Sequence, residues 1–136
     1  MDFKNKKVWI TGASSGIGEQ IAYAFAKEGA HVILSARNKA ELERVKNTCT
    51  GASKVDIVIL DIANHAEIFT IAKSVIAQVG SIDVLVNNAG ISQRSLAKET
   101  DFEVDTHIVN VDLLGTIAMT KEIGRASCRE RVCLAV

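Results

Sequence analysis

Several features that assign proteins to a class are missing from this sequence. Its sixteen basic and sixteen acidic residues cancel and are interspersed, which predicts neither a nucleic-acid groove nor an anionic membrane surface as a partner. No apolar run approaches the ~20 residues that span a bilayer, and the start lacks the apolar stretch of a secretory signal, which favours a cytoplasmic protein. Small molecules and other protein copies are the expected partners.

Cysteine is also scarce. Cys49, Cys128 and Cys133 form no Cys-x-x-Cys pair and have no histidine cluster near them, so the sequence supports neither a metal site nor a disulfide framework. We expect reduced thiols. The remaining composition is that of an ordinary globular protein, since 48% of the 136 residues are apolar, and the length suits one domain.

Short β-branched apolar runs alternate with segments of helical periodicity, the pattern of a parallel sheet with crossover helices. The predicted strands cover residues 7–10, 31–35, 56–61 and 84–86, and the helices between them cover 16–27, 39–47 and 66–79. A last helix is predicted from Thr100, which has capping-box spacing to Glu103, through Met119. This predicts an α/β fold, a Rossmann-like doubly wound parallel sheet that is incomplete because only strands 3-2-1-4 are present.

The turn between the first strand and the first helix is rich in glycine and reads Thr11-Gly12-Ala13-Ser14-Ser15-Gly16-Ile17-Gly18. Gly12 can take backbone angles closed to other residues, Gly16 can admit a pyrophosphate, and Gly18 lets helix and sheet pack closely. The helix N-terminus presents unpaired N–H groups to an anion. A glycine turn without a ligand is the alternative, but the βαβ setting favours a phosphate site.

This turn resembles the cofactor motif of the short-chain dehydrogenase/reductase family. Asn87-Asn88-Ala89-Gly90, after the fourth strand, is similar to a second motif of that family, and the resemblance covers about residues 6–121. It implies an oxidoreductase that binds a nicotinamide dinucleotide. The residues predicted to bind the cofactor are Thr11, Gly12, Ser14, Ser15, Gly16, Ile17, Gly18, Ser35, Arg37, Asn38, Asp61, Ile62, Asn88, Ala89 and Gly90. Asp61 corresponds to a family residue that contacts the adenine amino group, although a helix cap is the alternative.

The end of the second strand bears on the choice of cofactor. Folds that bind NAD usually carry an acidic residue there for the ribose 2′-hydroxyl, whereas a nearby Arg accommodates the 2′-phosphate of NADP. Here Ala36 stands at the acidic position and Arg37 follows it, with Ser35 and Asn38 as helpers. The sequence therefore predicts NADP(H) in preference to NAD(H), and a solvated Arg at a helix start is the alternative.

The resemblance implies hydride transfer with a catalytic Ser, Tyr and Lys, and no residue of this sequence stands at those three family positions. The sole tyrosine, Tyr23, precedes Lys27 at Tyr-x-x-x-Lys spacing, but it lies one helix after the glycine turn, where an exposed helical pair is expected. The family also uses an Asn three residues before a Gly in the last helix. Asp112 holds that position here and is the one catalytic candidate, although a carboxylate cannot donate as an amide does.

The helical periodicity is lost after Lys121, and we interpret the residues from Ile123 onward as the in-frame translation of a common sequencing adaptor. We therefore expect residues 1–122 to form a partial NADP-binding domain and 123–136 to be a non-native tail, with a natural basic tail as the alternative. The expected function is an NADP(H)-dependent carbonyl reductase or alcohol dehydrogenase, inactive in this form, acting when complete on a lipophilic carbonyl or alcohol and forming homo-oligomers. A noncatalytic NADP-binding sensor and a fragment that does not fold alone are the other hypotheses.

Overall fold

The computed structural model describes residues 2–126, which form one parallel sheet with helices on both faces. The strands are β1 (Lys7–Thr11), β2 (His31–Ala36), β3 (Lys54–Ile59) and β4 (Val84–Val86), in the order β3-β2-β1-β4. The predicted α/β fold and its incomplete 3-2-1-4 order are therefore confirmed.

The helices that connect the strands are α1 (Gly16–Lys27), α2 (Lys39–Thr48) and α3 (His65–Val79). After β4 come a short 3₁₀ turn (Ala97–Glu99), α4 (Phe102–Ile108), a π-helical segment (Val109–Gly115) and α5 (Thr116–Ala126). Among residues 2–126, none of these helices has the length and apolar character needed to cross a membrane.

The two sides of the sheet bury separate clusters, because successive strand residues point to opposite faces. In β1, Val8 and Ile10 pack with the side of α1 and α2, whereas Trp9 packs with α3 and α5. All three side chains are fully buried, as expected for a strand covered on both faces. This packing holds the carboxyl ends of the strands, where the glycine turn lies, at one edge of the sheet.

The third strand lies two residues earlier than the predicted 56–61. Its parallel pairing with β2 begins at His31 with Lys54 and ends at Ala36 with Ile59. The ladder stops there because β2 itself ends, although the Leu60 amide still donates to the Ala36 carbonyl at 3.1 Å. The residues that follow, Asp61 and Ile62, therefore leave the sheet as a loop.

The last helix departs from the prediction of one regular helix that starts with a capping box. Asp101 is the N-cap of α4 without a side-chain cap, while the Thr100 hydroxyl donates to the Leu96 carbonyl at 3.2 Å. The helix then widens into the π segment, where His65 Nε2 donates to the Asn110 carbonyl at 2.9 Å. Gly115 lies so close to Ile62 that a Cβ would stand 2.6 Å from the Ile62 carbonyl oxygen.

The predicted tail is only partly described. Residues 123–126 continue α5, and the Ile123 side chain is buried against the α3 side of the sheet. Residues 127–136 lie outside the described residues, as do Cys128 and Cys133. Cys49 is a buried free thiol, and burial raises its pKa.

Candidate nucleotide-binding site

The two glycine-containing motifs are joined by hydrogen bonds at the carboxyl edge of the sheet. The Thr11 hydroxyl accepts from the amides of Asn88 and Ala89, each at 3.1 Å, and donates to the Val86 carbonyl at 3.3 Å. The Asn88 side-chain amide donates to the Gly12 carbonyl at 3.1 Å. The Asn-Asn-Ala-Gly motif therefore fixes the start of the glycine turn from the neighbouring strand.

At two of the three glycines of the turn a side chain does not fit, and at the third it would project into open space. Gly12 has a φ of 65°, and a Cβ there would lie 2.8 Å from the Ala89 Cα. At Gly18 a Cβ would lie 2.3 Å from the Gly12 carbonyl oxygen. Gly16 differs, because a Cβ there would meet nothing within 4 Å. The backbone at Gly16 is thus open to a molecule approaching the first turn of α1.

The N-terminus of α1 has no side-chain cap. Its N-cap, Ser15, is extended and its hydroxyl makes no capping hydrogen bond. By contrast, Asn38 at the start of α2 accepts from the Glu41 amide at 3.3 Å, and Asn64 at the start of α3 accepts from the Glu67 amide at 3.4 Å. The first N–H groups of α1 therefore remain available to an anion, which the helix dipole favours at this end.

A cavity of about 480 Å³ opens at this edge of the sheet. Its volume lies within the roughly 300–1,000 Å³ of small-molecule sites. It brings together all the predicted cofactor-binding residues except Gly16 and Gly18, which do not line it. Five further residues line it: Ala36, Leu60, Ile91, His107 and Val111.

Sequence reasoning missed these five residues for two different reasons. Ala36, Leu60 and Ile91 each adjoin a predicted site residue, so extension of each predicted site segment by one residue would have found them. His107 and Val111 are four residues apart and share a helix face, but only the packing of the last helix against Ile62 brings that face to the cavity.

The polar residues predicted to contact the adenosine half of the cofactor differ in their hydrogen bonds. The Ser35 hydroxyl is buried and accepts from the Trp9 indole N–H at 2.7 Å. The Asp61 carboxylate accepts from the Ala63 amide at 3.0 Å in a local turn, and it does not cap α3, because Asn64 is the N-cap of that helix. Arg37 is exposed, lines the cavity and makes no hydrogen bond or ion pair with another described residue.

Asp112 lies in the π segment and is linked to the second motif. Its Oδ1 accepts from the Ile91 amide at 2.9 Å, and the Thr116 hydroxyl donates to its carbonyl at 3.0 Å. Because Ile91 directly follows Gly90, this bond fixes the chain as it leaves the motif. The carboxylate thus acts as an acceptor toward the backbone.

Tyr23 lies away from the cavity on α1. Its hydroxyl donates to Glu19 Oε1 at 2.7 Å, and burial, followed by this bond to Glu19, raises its pKa. A tyrosine that exchanges protons near neutrality needs the opposite shift, toward a lower pKa. Hydrogen bonds from Arg44 and then from Tyr23 lower the pKa of Glu19 to about 2, which keeps this carboxyl ionised.

The family model for short chain dehydrogenases matches residues 6–131 of this chain. The chain belongs to the short-chain dehydrogenase family. Oxidoreductases of this family use nicotinamide dinucleotides, and the resemblance of the two motifs to it is confirmed. The uncapped helix start, the open backbone at Gly16 and the cavity fit such a group.

Curated relatives share this region of sequence. The chain is 44% identical over 119 residues to mouse (Mus musculus) dehydrogenase/reductase SDR family member 7, covering 84% of this chain and 35% of the relative. It is 40% identical over 123 residues to a Drosophila melanogaster dehydrogenase/reductase SDR family protein 7-like, covering 87% and 38%. The chain therefore spans little more than a third of the length of these two short-chain dehydrogenases.

Solved short-chain dehydrogenases share the fold. A short-chain type dehydrogenase/reductase from Mycobacterium marinum is 28% identical with a TM-score of 0.85, over 92% of this chain and 51% of that one. A mutant short-chain dehydrogenase/reductase from Serratia marcescens is 26% identical with the same TM-score, over 93% of this chain and 52% of that one.

Within residues 2–126, no group of three or more His, Cys, Asp or Glu side chains is placed to hold a metal ion.

Proposed function

We propose that this chain is the nucleotide-binding part of an NADP(H)-dependent short-chain oxidoreductase of the carbonyl reductase or alcohol dehydrogenase type. The single observation that carries the choice of cofactor is Arg37. It lines the cavity directly after Ala36, where an acidic residue would serve NAD, and its guanidinium has no protein partner among residues 2–126. A planar fork of donors suits the 2′-phosphate.

The residues of the chain bind and orient the dinucleotide in this proposal. The first amides of α1 and the hydroxyls of Ser14 and Ser15 hold the diphosphate, Arg37 holds the 2′-phosphate, and Asp61 and Ile62 border the adenine. Asn88, Ala89 and Gly90 border the adenosine ribose. When bound, the nicotinamide supplies or accepts the hydride.

The test is a titration of the chain with NADPH and NADH, before and after Arg37→Ala. Because a charge-assisted hydrogen bond contributes about 1.5–3 kcal/mol, we expect NADPH to weaken roughly 10- to 100-fold while NADH is spared. Lys39→Ala, an exposed cation two residues later, is the matched control and should change neither affinity. Equal losses of both cofactors in the Arg37 variant would refute the assignment.

We also propose that this chain does not turn over substrate. Its sole tyrosine is Tyr23, whose pKa is raised and which does not line the cavity. Tyr23 is therefore not placed to act as the acid and base of the reaction. An assay that follows NADPH absorbance with lipophilic ketones should give no rate above the background, and a measurable rate would contradict this part of the proposal.

We propose that the complete protein acts on a small lipophilic carbonyl or alcohol. We also propose that it forms a homo-oligomer through the helix that is the last one in this chain. The support for self-association is a stripe of exposed apolar side chains at helical spacing: Val109, Leu113 and Ile117 are 46%, 54% and 40% exposed. A cytoplasmic location stays a prediction of the sequence.

A noncatalytic NADP-binding sensor or regulatory module is the second candidate. The observation that favours it is Asp112, which stands where the family resemblance expects Asn and whose carboxylate accepts from the Ile91 backbone amide. In a completed enzyme, Asp112→Asn tests what this position contributes to turnover. A gain in turnover without a change in NADPH affinity would show that the position serves a proton relay, and unchanged turnover would show that it does not.

A further inference from the structure

Arg44 of α2 joins three parts of the molecule close to the glycine turn. Its two terminal nitrogens donate to both carboxylate oxygens of Glu19 on α1, at 2.8 and 2.9 Å. Its Nε donates to Glu41 Oε2 at 2.8 Å, and Nη2 also donates to the Ser14 carbonyl at 3.2 Å. One guanidinium therefore contacts α1, its own helix and the turn that precedes Ser15.

The position of Glu19 makes this arrangement relevant to anion binding. Glu19 lies in the first turn of α1, and its amide donates to the Ser15 carbonyl at 3.4 Å. Its side chain is 14% exposed, so solvent screens its charge less than that of an open surface carboxylate. A bare carboxylate at this place would oppose the binding of phosphates at the same helix start.

The same contacts bear on the cavity wall. Ser14 lines the cavity together with Arg37 and Asn38, and Asn38 caps the helix that carries Arg44. Arg44 itself does not line the cavity and is engaged by two carboxylates, so Arg37 rather than Arg44 is the guanidinium that would face an anion in the cavity. Arg44 can affect the anion only through Glu19 and Ser14.

We propose that Arg44 is a positioning residue for the 2′-phosphate: it neutralises Glu19 and holds the Ser14 carbonyl, so that the wall shared with Arg37 accepts an additional anionic group. This inference rests on the proposed function. It predicts that Arg44 contributes more to NADPH binding than to NADH binding, because the 2′-phosphate adds the charge that an uncompensated Glu19 would repel.

The experiment compares NADPH and NADH titrations of the chain with those of Arg44→Met and of Lys46→Met. Lys46 is an exposed cation on the same helix and is the matched control. For Arg44→Met we expect NADPH to weaken about tenfold and NADH less than about threefold, whereas Lys46→Met leaves both affinities unchanged. Equal weakening of both cofactors would mean that Arg44 only docks the two helices, which would overturn the proposal.

Rescue by a second substitution distinguishes charge from packing. In Arg44→Met combined with Glu19→Gln, the repelling carboxylate is gone, so the ratio of NADPH to NADH affinity should return to within about twofold of the starting value. Failure of the ratio to recover would overturn the proposal. A loss of packing would not be repaired by Glu19→Gln, because this change adds no contact between the helices.

Glu19→Gln alone keeps the test decisive if Arg44→Met does not fold. Arg44 remains next to Ser14 and Glu41 in this variant, so the preference for NADPH should stay the same or rise. A fall in that preference would overturn the inference while leaving the proposed function standing. If the unaltered chain binds neither dinucleotide, the proposed function fails and this inference fails with it.

Discussion

Two helices of this domain, α1 and α3, begin in opposite ways at the carboxyl edge of the same sheet. At α3 the Asn64 side chain accepts from the Glu67 amide, so the helix satisfies its own first turn. At α1 the extended Ser15 caps nothing, and the turn before it holds Gly12 with a φ of 65°. The difference separates a helix start that serves the fold from one whose N–H groups are left for a ligand.

The largest effect on this comparison should come from Gly18, which sets how closely α1 approaches the second motif. In Gly18→Ala the new methyl group would lie 2.3 Å from the Gly12 carbonyl oxygen and 2.4 Å from Asn88 Nδ2. Because the backbone of either α1 or the glycine turn has to move to make room, we expect the free energy of unfolding, measured by urea denaturation, to fall by about 1–3 kcal/mol or more.

Gly124→Ala is the matched control for that substitution. A Cβ at Gly124 meets nothing within 4 Å, and the residue lies inside α5, so we expect a change of no more than about 1 kcal/mol, in the stabilising direction. If Gly18→Ala left the stability unchanged, the close contact between the two motifs would not exist in solution.

The two helix starts themselves provide the next test. Asn64→Ala removes a capping bond and should lower the free energy of unfolding by about 0.5–2 kcal/mol without changing NADPH affinity. Ser15→Ala removes no capping bond, so stability should change by less than about 0.5 kcal/mol while NADPH weakens severalfold. Both variants are measured by denaturation and by titration with NADPH. If both substitutions changed stability and neither changed NADPH affinity, the proposed difference between the two helix starts would be wrong.

A smaller effect is expected from pH at the junction of α1 and α2. Hydrogen bonds from Arg44 and Tyr23 lower the pKa of Glu19 from its ordinary 4.5 to about 2 in the folded chain. Since the folded state then holds the proton less tightly than the unfolded chain, Glu19 stabilises the fold above about pH 4.5. That contribution should disappear as the pH falls toward 2.

Thermal unfolding between pH 6 and pH 2 checks this prediction. The difference in melting temperature between the unaltered chain and Glu19→Gln should shrink steadily as the solution is acidified below pH 4.5. A difference that stays constant down to pH 2 would show that Glu19 is not paired with Arg44 as described.

Most of the sheet followed from residue patterns, because strands buried on both faces leave strong local signals. Val8-Trp9-Ile10 and the glycines that follow it predict a strand, a turn and a helix within eleven residues, and α1 begins and ends where predicted. The predicted end of β3, at Asp61, is two residues too late. The strand stops at Ile59 because its partner β2 ends at Ala36, and the residues of β3 themselves carry no signal for that limit.

The last helix shows where local patterns are insufficient. The capping-box spacing of Thr100 and Glu103 is a local signal, but Asp101 becomes the N-cap instead. The π segment follows from contacts with distant residues, since His65 bonds to the Asn110 carbonyl and Gly115 abuts Ile62. His107 likewise lines the cavity because of tertiary packing, and no motif in the sequence predicts that position.

The most direct test of the central claim is to locate the dinucleotide on the chain by amide NMR. In a ¹⁵N-labelled sample titrated with NADPH, the account predicts that the largest shifts fall on the amides of Gly16, Ile17 and Gly18, with the Arg37 side chain also shifted, and that the amides at the start of α3 hardly move. Saturable binding whose shifts cluster elsewhere, or no shifts with either NADPH or NADH, would contradict it.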